Sequence, residues 1–275
     1  MFKIFDLLLS AAIVAIFSVP NANAKLSQMP FPYPSGASGY HFFDDFVTAV
    51  TNVNYPLGNQ GWQAAANAGG YIGNATAGAA AAGQAGRIGL ISLGTGTTSN
   101  ATGQAFLSLS AAQMYAGIGA ITWQWAAQVP SALSTSSVEY IMDMGFGVYP
   151  FEQGSNGLGI LYQRTSSTNF MAYTSNNGTE TTCTTADATH FAVVAGTWYN
   201  FEIVIPVAGT SASFYVAPAG SYAYVKICTI TTNLPDISDQ ASPMIEIYKT
   251  GSSTTTNRIM NLDWVQGDIT FTNPR

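Results

Sequence analysis

Glu139 and Asp143 stand four residues apart in "VEYIMDMGFG", a run that otherwise reads as a buried strand. Alternate residues of a strand share a face, so Glu139, Ile141, Asp143 and Gly145 lie on one side and Tyr140, Met142, Met144 and Phe146 on the other. The second side is apolar and packs inward, which leaves the first for solvent or a ligand groove. Two acids on such a face can cleave a glycan, one as general acid and the other as base or nucleophile. They can equally be the polar residues of a wet sheet surface. At ~3.3 Å per residue the two backbone positions are about 13 Å apart. Retaining cleavage needs carboxyl groups about 5–5.5 Å apart and inverting cleavage about 6.5–9.5 Å, so flexible side chains would have to close the gap.

Aromatic residues are the other candidates. Trp123 and Trp125 in "ITWQWAAQ" point the same way. Rings about 6–7 Å apart on a sheet surface can stack on consecutive sugar units. Both can instead fill an apolar interior, and the pattern leaves the two outcomes open. Tyr149 and Phe151, in the loop-like "GVYPFEQGSNG", are placed to meet a ligand. Asp44, Asp45 and Asp263 offer oxygen donors to a structural calcium, but no run of spaced Asp or Asn resembles a calcium loop. Two cysteines, Cys183 and Cys228, and two distant histidines, His41 and His190, form no zinc pattern, and no hydrolase motif surrounds the histidines. No cofactor is expected. "GTGTTSNATG" is glycine-rich but lacks the lysine of a phosphate loop and reads as a polar turn. In an oxidising compartment the cysteines are expected to pair, closing a loop that stabilises by roughly 4 kcal/mol; two buried thiols are the alternative.

The elements that must hold these residues are strands. "RIGLISL", "GQAFLSLS", "GAITWQWAAQ", "LGILYQR", "NFMAYTS", "WYNFEIVIP", "SASFYVAP", "YAYVKICTI", "MIEIYKT" and "RIMNLDWVQ" are short runs rich in Val, Ile, Thr, Tyr and Phe, mostly separated by turn-forming residues. In "NFEIVIP", Phe201, Ile203 and Ile205 alternate with Glu202 and Val204, a period of two. "VAGT" then connects to the next run as a hairpin would. Glu202 and Glu246 both alternate with apolar neighbours, as solvent-facing residues do. The Ala-rich tract "WQAAANAGGYIGNATAGAAAAGQAG" carries too many glycines for a lasting helix and reads as loops with short strands. Sequons at Asn74, Asn100 and Asn177 fall in loop-like contexts. The class expected is all-β, a sandwich or barrel.

"GTWYNFEIVIPVAGTSASFYVAP" resembles the back half of concanavalin A-like lectin/glucanase domains, in which a "GTW" turn leads into two paired strands. "NRIMNLDWVQ" resembles the final strand of laminarinase-type glucanases. The resemblance implies a jelly-roll sandwich of two antiparallel sheets, with a concave face on which relatives bind or cleave carbohydrate. The glucanase motif places Glu, Asp and Glu at alternate positions of one strand. Here Ile141 takes the middle place and Asp143 the last, so the catalytic set is incomplete.

Composition sets the outer limits. Of 275 residues only 8% are charged, against ~25% in ordinary soluble domains. Hydroxyls and amides must therefore keep the surface wet. A net charge of −6 with scattered Lys and Arg argues against nucleic acid and anionic membranes. The opening "MFKIFDLLLSAAIVAIFSVPNANAK" has the pattern of a secretory signal peptide, with cleavage expected near Ala24. Its apolar run is short of the ~20 residues that span a bilayer. The expected organisation is a signal peptide over 1–24, a linker over 25–40 and one sandwich domain over 41–275. The chain thus reads as an exported, non-catalytic module, secreted, periplasmic or at the cell surface, with carbohydrate as its partner and no stable membrane insertion. A glycoside hydrolase or polysaccharide lyase using Glu139 and Asp143 is one alternative, and a purely structural surface protein another. The residues name neither a glycan nor an oligomeric state.

Overall fold

The computed structural model describes residues 39–46, 62–75, 89–99, 102–109, 116–147, 156–163, 167–183, 192–219, 221, 223–236, 241–250 and 255–271. All of them belong to one compact unit, Ser35–Arg275. In chain order the strands are β1 (Gly39–Asp44), β2 (Gln63–Asn67), β3 (Tyr71–Ala75), β4 (Leu90–Gly94), β5 (Gln104–Ser108), β6 (Gly119–Gln128), β7 (Tyr140–Gly147), β8 (Gly157–Gln163), β9 (Met171–Asn176), β10 (Thr179–Cys183), β11 (Trp198–Ile205), β12 (Ala212–Pro218), β13 (Val225–Ile230), β14 (Ser242–Lys249) and β15 (Ile259–Phe271). The expected class is all-β, and the described residues are all-β. The first strand starts two residues inside the segment read as linker.

The strands form two antiparallel sheets. One holds eight strands in the order β13-β12-β11-β6-β15-β4-β3, with β1 paired to β15; the other holds seven in the order β10-β9-β8-β7-β14-β5-β2. Alternation is plainest in the larger sheet. Along β11, Phe201, Ile203 and Ile205 are buried while Glu202 and Val204 are half-buried. The central strands β7 and β14 of the smaller sheet are buried almost throughout.

The main core fills the space between the sheets and draws on both, from Trp123, Trp125 and Phe201 to Met142, Met144, Ile245 and Ile247. Aromatic rings run through it in contact: Trp62 with Trp123 at 6.1 Å, Trp123 with Trp125 at 6.4 Å, Trp125 stacked on Phe201 at 5.4 Å, and Phe201 edge-on to Phe170 at 4.9 Å. Each such pair adds roughly 0.5–1.5 kcal/mol to what burial contributes. Trp125 also donates its Nε1–H to Met144 Sδ across the sheets at 3.2 Å.

Both lateral margins of the sandwich are joined. At one, the edge strands β2 and β3 belong to different sheets and meet through Ala68, Gly69 and Gly70. Gly69 has φ +88°, and any side chain there would collide with Thr98. At the other, the edge strands β10 and β13 are tied by a disulfide between Cys183 and Cys228, whose Cα atoms are 6.5 Å apart. The sequence expects this pairing, and the structure contains it.

Candidate functional site

β7 places Tyr140, Met142, Met144 and Phe146 in the main core. Ile141, Asp143, Gly145 and Gly147 therefore face the other way, onto the side of the seven-stranded sheet remote from its partner sheet. In register, Asp143 lies between Leu161 of β8 and Glu246 of β14, and Glu246 in turn lies beside Phe106 of β5. Residues directly opposite in an antiparallel pair have Cβ atoms about 4.5–5.5 Å apart. Two acids are thus neighbours across strands that are 103 positions apart in the sequence (246 − 143).

Both acids are out of solvent, Asp143 3% exposed and Glu246 1%. Tyr173 Oη donates to Asp143 Oδ1 at 3.2 Å, and Gln104 Nε2 donates to Glu246 Oε2 at 2.8 Å. The second oxygen of each, Asp143 Oδ2 and Glu246 Oε1, has no hydrogen-bond partner among the described residues. Around them Phe106, Leu161, Met171, Tyr173 and Met244 form a second apolar cluster, separate from the main core.

Burial pushes the Asp143 carboxyl well above the usual carboxylate range; Tyr173's hydrogen bond opposes this and the charge of Glu180 adds to it. Burial likewise pushes Glu246 well above its usual range, with Asp143 as the next cause and the Gln104 hydrogen bond opposing. Desolvation dominates, and among the described residues no cation stands beside either acid to offset the loss of water. The pair is held protonated beyond the pH at which exposed carboxyls ionise. A neutral carboxylic acid both donates and accepts hydrogen bonds, as a sugar hydroxyl does.

Beside the acids the sheet loses its side chains. Gly145 lies opposite Gly159 and Gly147 opposite Gly157. Ser242 and Met244 of β14 flank this patch on one side, and Tyr173 and Ser175 of β9 on the other. Gly159 sits diagonally from Asp143. A Cβ there would come within 3.0 Å of both Asp143 Oδ1 and Tyr173 Cε1, and within 2.9 Å of Met144 O. Glycine at this place is what lets the carboxyl lean across β8 to the tyrosine hydroxyl.

A family model for the SO2946-like C-terminal domain matches residues 86–263, nearly two-thirds of the chain. The chain belongs to that family. Among solved structures this SO2946-like chain is similar to SO2946 from Shewanella oneidensis MR-1, a protein of unknown function, at 13% identity, 93% coverage of this chain, 96% of the other and a TM-score of 0.58. It is similar to the lectin UEA-II complexed with galactose, at 9% identity, 84% coverage of this chain, 98% of the other and a TM-score of 0.51. It also resembles winged bean acidic lectin complexed with methyl-α-D-galactose, at 11% identity, 84% and 98% coverage and a TM-score of 0.50. No curated protein matches. At these identities the likeness concerns the fold: the SO2946-like chain is a concanavalin A-like sandwich.

Several expected site residues stand elsewhere in the SO2946-like fold. Glu139 precedes β7 instead of lying in it; it is half-buried, and its carbonyl accepts from the Thr250 amide at 3.2 Å. The partner of Asp143 is Glu246, which the alternation of "MIEIYKT" marks as solvent-facing. The alternation places it correctly, away from the main core, yet the face is buried. The available signal was "IMDM" and "MIEIY" themselves: a lone acid with apolar residues on both faces is a buried acid.

Trp123 and Trp125 are both 0% exposed between the sheets. The interior outcome holds, and neither ring can offer a stacking platform without the sandwich opening. Tyr149, Phe151, His190 and Asn100 lie outside the described residues. Asp44 is buried and accepts from its own Phe46 amide at 2.9 Å, a local turn. Among the described residues no three His, Cys, Asp or Glu gather as metal ligands, so nothing supports calcium at Asp44, Asp45 and Asp263. His41 is engaged with Asp268 at 2.5 Å on the outer side of the eight-stranded sheet. Asn177 lies in the exposed turn between β9 and β10, with φ +49°. Among the described residues no helix is long and apolar enough to cross a membrane.

Proposed function

We propose that this is an exported carbohydrate-binding protein whose ligand site is the outer face of the seven-stranded sheet, centred on Asp143 and Glu246. One observation carries the reading: two buried acids, opposed across β7 and β14, each keep an oxygen without a partner among the described residues, beside four buried glycines. Buried polar atoms left unsatisfied cost stability, so a structure keeps them where something else uses them. Tyr173, Ser175, Ser242, Met244 and Phe106 share that face and are buried with the acids, so a sugar reaches them only where the cover of the face gives way. Export is supported by the signal-like opening and by a disulfide, which persists in oxidising compartments.

The test is a glycan array probed with the protein and with an Asp143→Asn/Glu246→Gln variant. Retention of at least one glycan by the first and loss by the second is expected. No retention across the array would remove the binding reading and leave a structural role.

The cross-strand register favours a second reading. Directly opposed residues have Cβ atoms about 4.5–5.5 Å apart, so the Asp143 and Glu246 backbones are closer than those of Glu139 and Asp143 were expected to be. On this reading one acid protonates the glycosidic oxygen and the other attacks. Release of reducing ends from a polysaccharide panel, abolished by Glu246→Gln, would support it; a panel left uncut would dismiss it.

A further inference from the structure

We infer that Asn177 is a site of spontaneous covalent modification: its side-chain amide closes on the Gly178 nitrogen, and the turn between β9 and β10 ages to aspartate and isoaspartate. The inference is independent of the carbohydrate reading and rests on the chain's own chemistry.

The sequence holds two Asn-Gly dipeptides, Asn156–Gly157 and Asn177–Gly178. The fold brings them to one corner, where the Asn177 backbone amide donates to Asn156 Oδ1 at 2.5 Å. An asparagine followed by glycine can cyclise because glycine has no Cβ to shield its nitrogen. The structure separates the two candidates. Gly157 is buried, opens β8 and is paired on both sides, with Gly147 and with Ser175. A Cβ on it would come within 2.5 Å of Phe146 O, so the backbone there is packed against its neighbour. Gly178 lies between Asn176 and Thr179, the last pair of the β9–β10 ladder, and takes no part in that ladder. Asn177, Gly178 and Thr179 are all exposed, which gives water access to the turn.

Asn177 and Gly178 have φ +49° and +75°, the two-residue hairpin turn in which both central residues are left-handed. Two hydrogen bonds hold the asparagine: its N–H to Asn156, and its Nδ2 to Asn176 Oδ1 at 2.7 Å. Both face solvent, where water replaces them at little cost. Once they open, the Gly178 nitrogen gives up its proton and bonds to Asn177 Cγ. The Cγ–Nδ2 bond breaks, and the amide leaves as ammonia with that proton. Water then opens the cyclic imide. Cleavage between nitrogen and Cγ gives aspartate. Cleavage between nitrogen and the Asn177 backbone carbonyl carbon gives isoaspartate, whose main chain runs through Cβ and Cγ. Nothing is oxidised or reduced.

Either product adds a carboxylate to a turn that leads into Glu180. Isoaspartate also adds a methylene to the backbone of a turn whose length fixes the pairing of β9 with β10. β10 stays tied at its far end through Cys183 to Cys228, so the disturbance falls on Thr179, Glu180, Thr181 and Thr182.

The whole folded protein is incubated in warm, mildly alkaline buffer and mapped peptide by peptide by mass spectrometry, beside the same chain unfolded in denaturant. In the folded protein, conversion at Asn177 is expected to exceed that at Asn156 several-fold, with isoaspartate the larger product; the unfolded chain converts both. Hydrogen exchange over residues 179–182 should rise in the aged protein and stay unchanged in an aged Asn177→Gln variant, whose longer amide closes a ring less readily. The comparison of the two asparagines in the wild-type protein stands whether or not that variant folds. Conversion at Asn156 equal to or above that at Asn177 would overturn the assignment, as would an intact Asn177 once the unfolded chain has converted. Aspartate without isoaspartate would overturn the imide route, and unchanged exchange in converted protein would overturn the effect on the turn.

Discussion

Asp143 and Glu246 set the pH behaviour. Their folded-state carboxyls are raised by burial, so the native state holds protons that the unfolded chain releases. For acids with raised values, the stability they allow is fully present below the unfolded carboxylate pKa and declines as pH rises toward the folded one. Thermal melts taken upward from about pH 4 should show the wild-type protein losing stability, and Asp143→Asn/Glu246→Gln should flatten that decline. A parallel decline in the variant would place the pH dependence elsewhere. Gly159→Ala forces a methyl between Asp143 and Tyr173. It should destabilise by roughly 1–3 kcal/mol, the cost of overpacking, and lower the affinity of any ligand that binds Asp143. Trp125→Ala empties a site wholly inside the core. A loss of about 3–5 kcal/mol in denaturant unfolding is expected; a stable Trp125→Ala protein with lost ligand binding would return the tryptophan to the surface.

At the scale of elements, the closures at the sandwich margins hold the site's strands. β10 contributes Glu180 to the acidic face and ends in Cys183, bonded to Cys228 on β13 of the other sheet. The disulfide closes a loop across 45 positions and in the chain-entropy account adds roughly 4 kcal/mol. Cys183→Ser/Cys228→Ser should lower the unfolding free energy by up to that amount. It should also expose β10 and β9 to hydrogen exchange before β7 and β14, since the edge loses its cross-sheet anchor. Uniform loss of protection across the seven-stranded sheet would contradict a role confined to the margin.

The whole molecule keeps few charges and places its polar groups by row. On the outer side of the eight-stranded sheet Gln266, Gln124, Glu202, Tyr215 and Lys226 occupy successive strands in register. Gln124 Nε2 donates to Glu202 Oε2 at 2.5 Å, and Lys226 Nζ sits 5.5 Å above the Tyr215 ring. Such a surface is wetted by amides and hydroxyls, so its stability should depend little on salt. One core cluster spans both sheets, and a core shared in this way unfolds as a unit. Calorimetry should show a single transition; two separated ones would mean that the sheets melt independently.

The sequence by itself determined the class of structure. Runs such as "GAITWQWAAQ" and "NFEIVIP" carry a period of two that only a strand with one dry face satisfies, and the chain's two cysteines have one partner each to find. It also decided which way Glu246 points, because parity along a strand is a local property. Local pattern could not say that the second face of β7 and β14 is dry as well. Nor could it separate a tryptophan pair on a surface from one in a core, since both show the same alternation. The pairing of Asp143 with Glu246 lay still further out of reach. Register between strands 103 positions apart (246 − 143) is not a local property, and only the folded chain sets the two residues opposite each other.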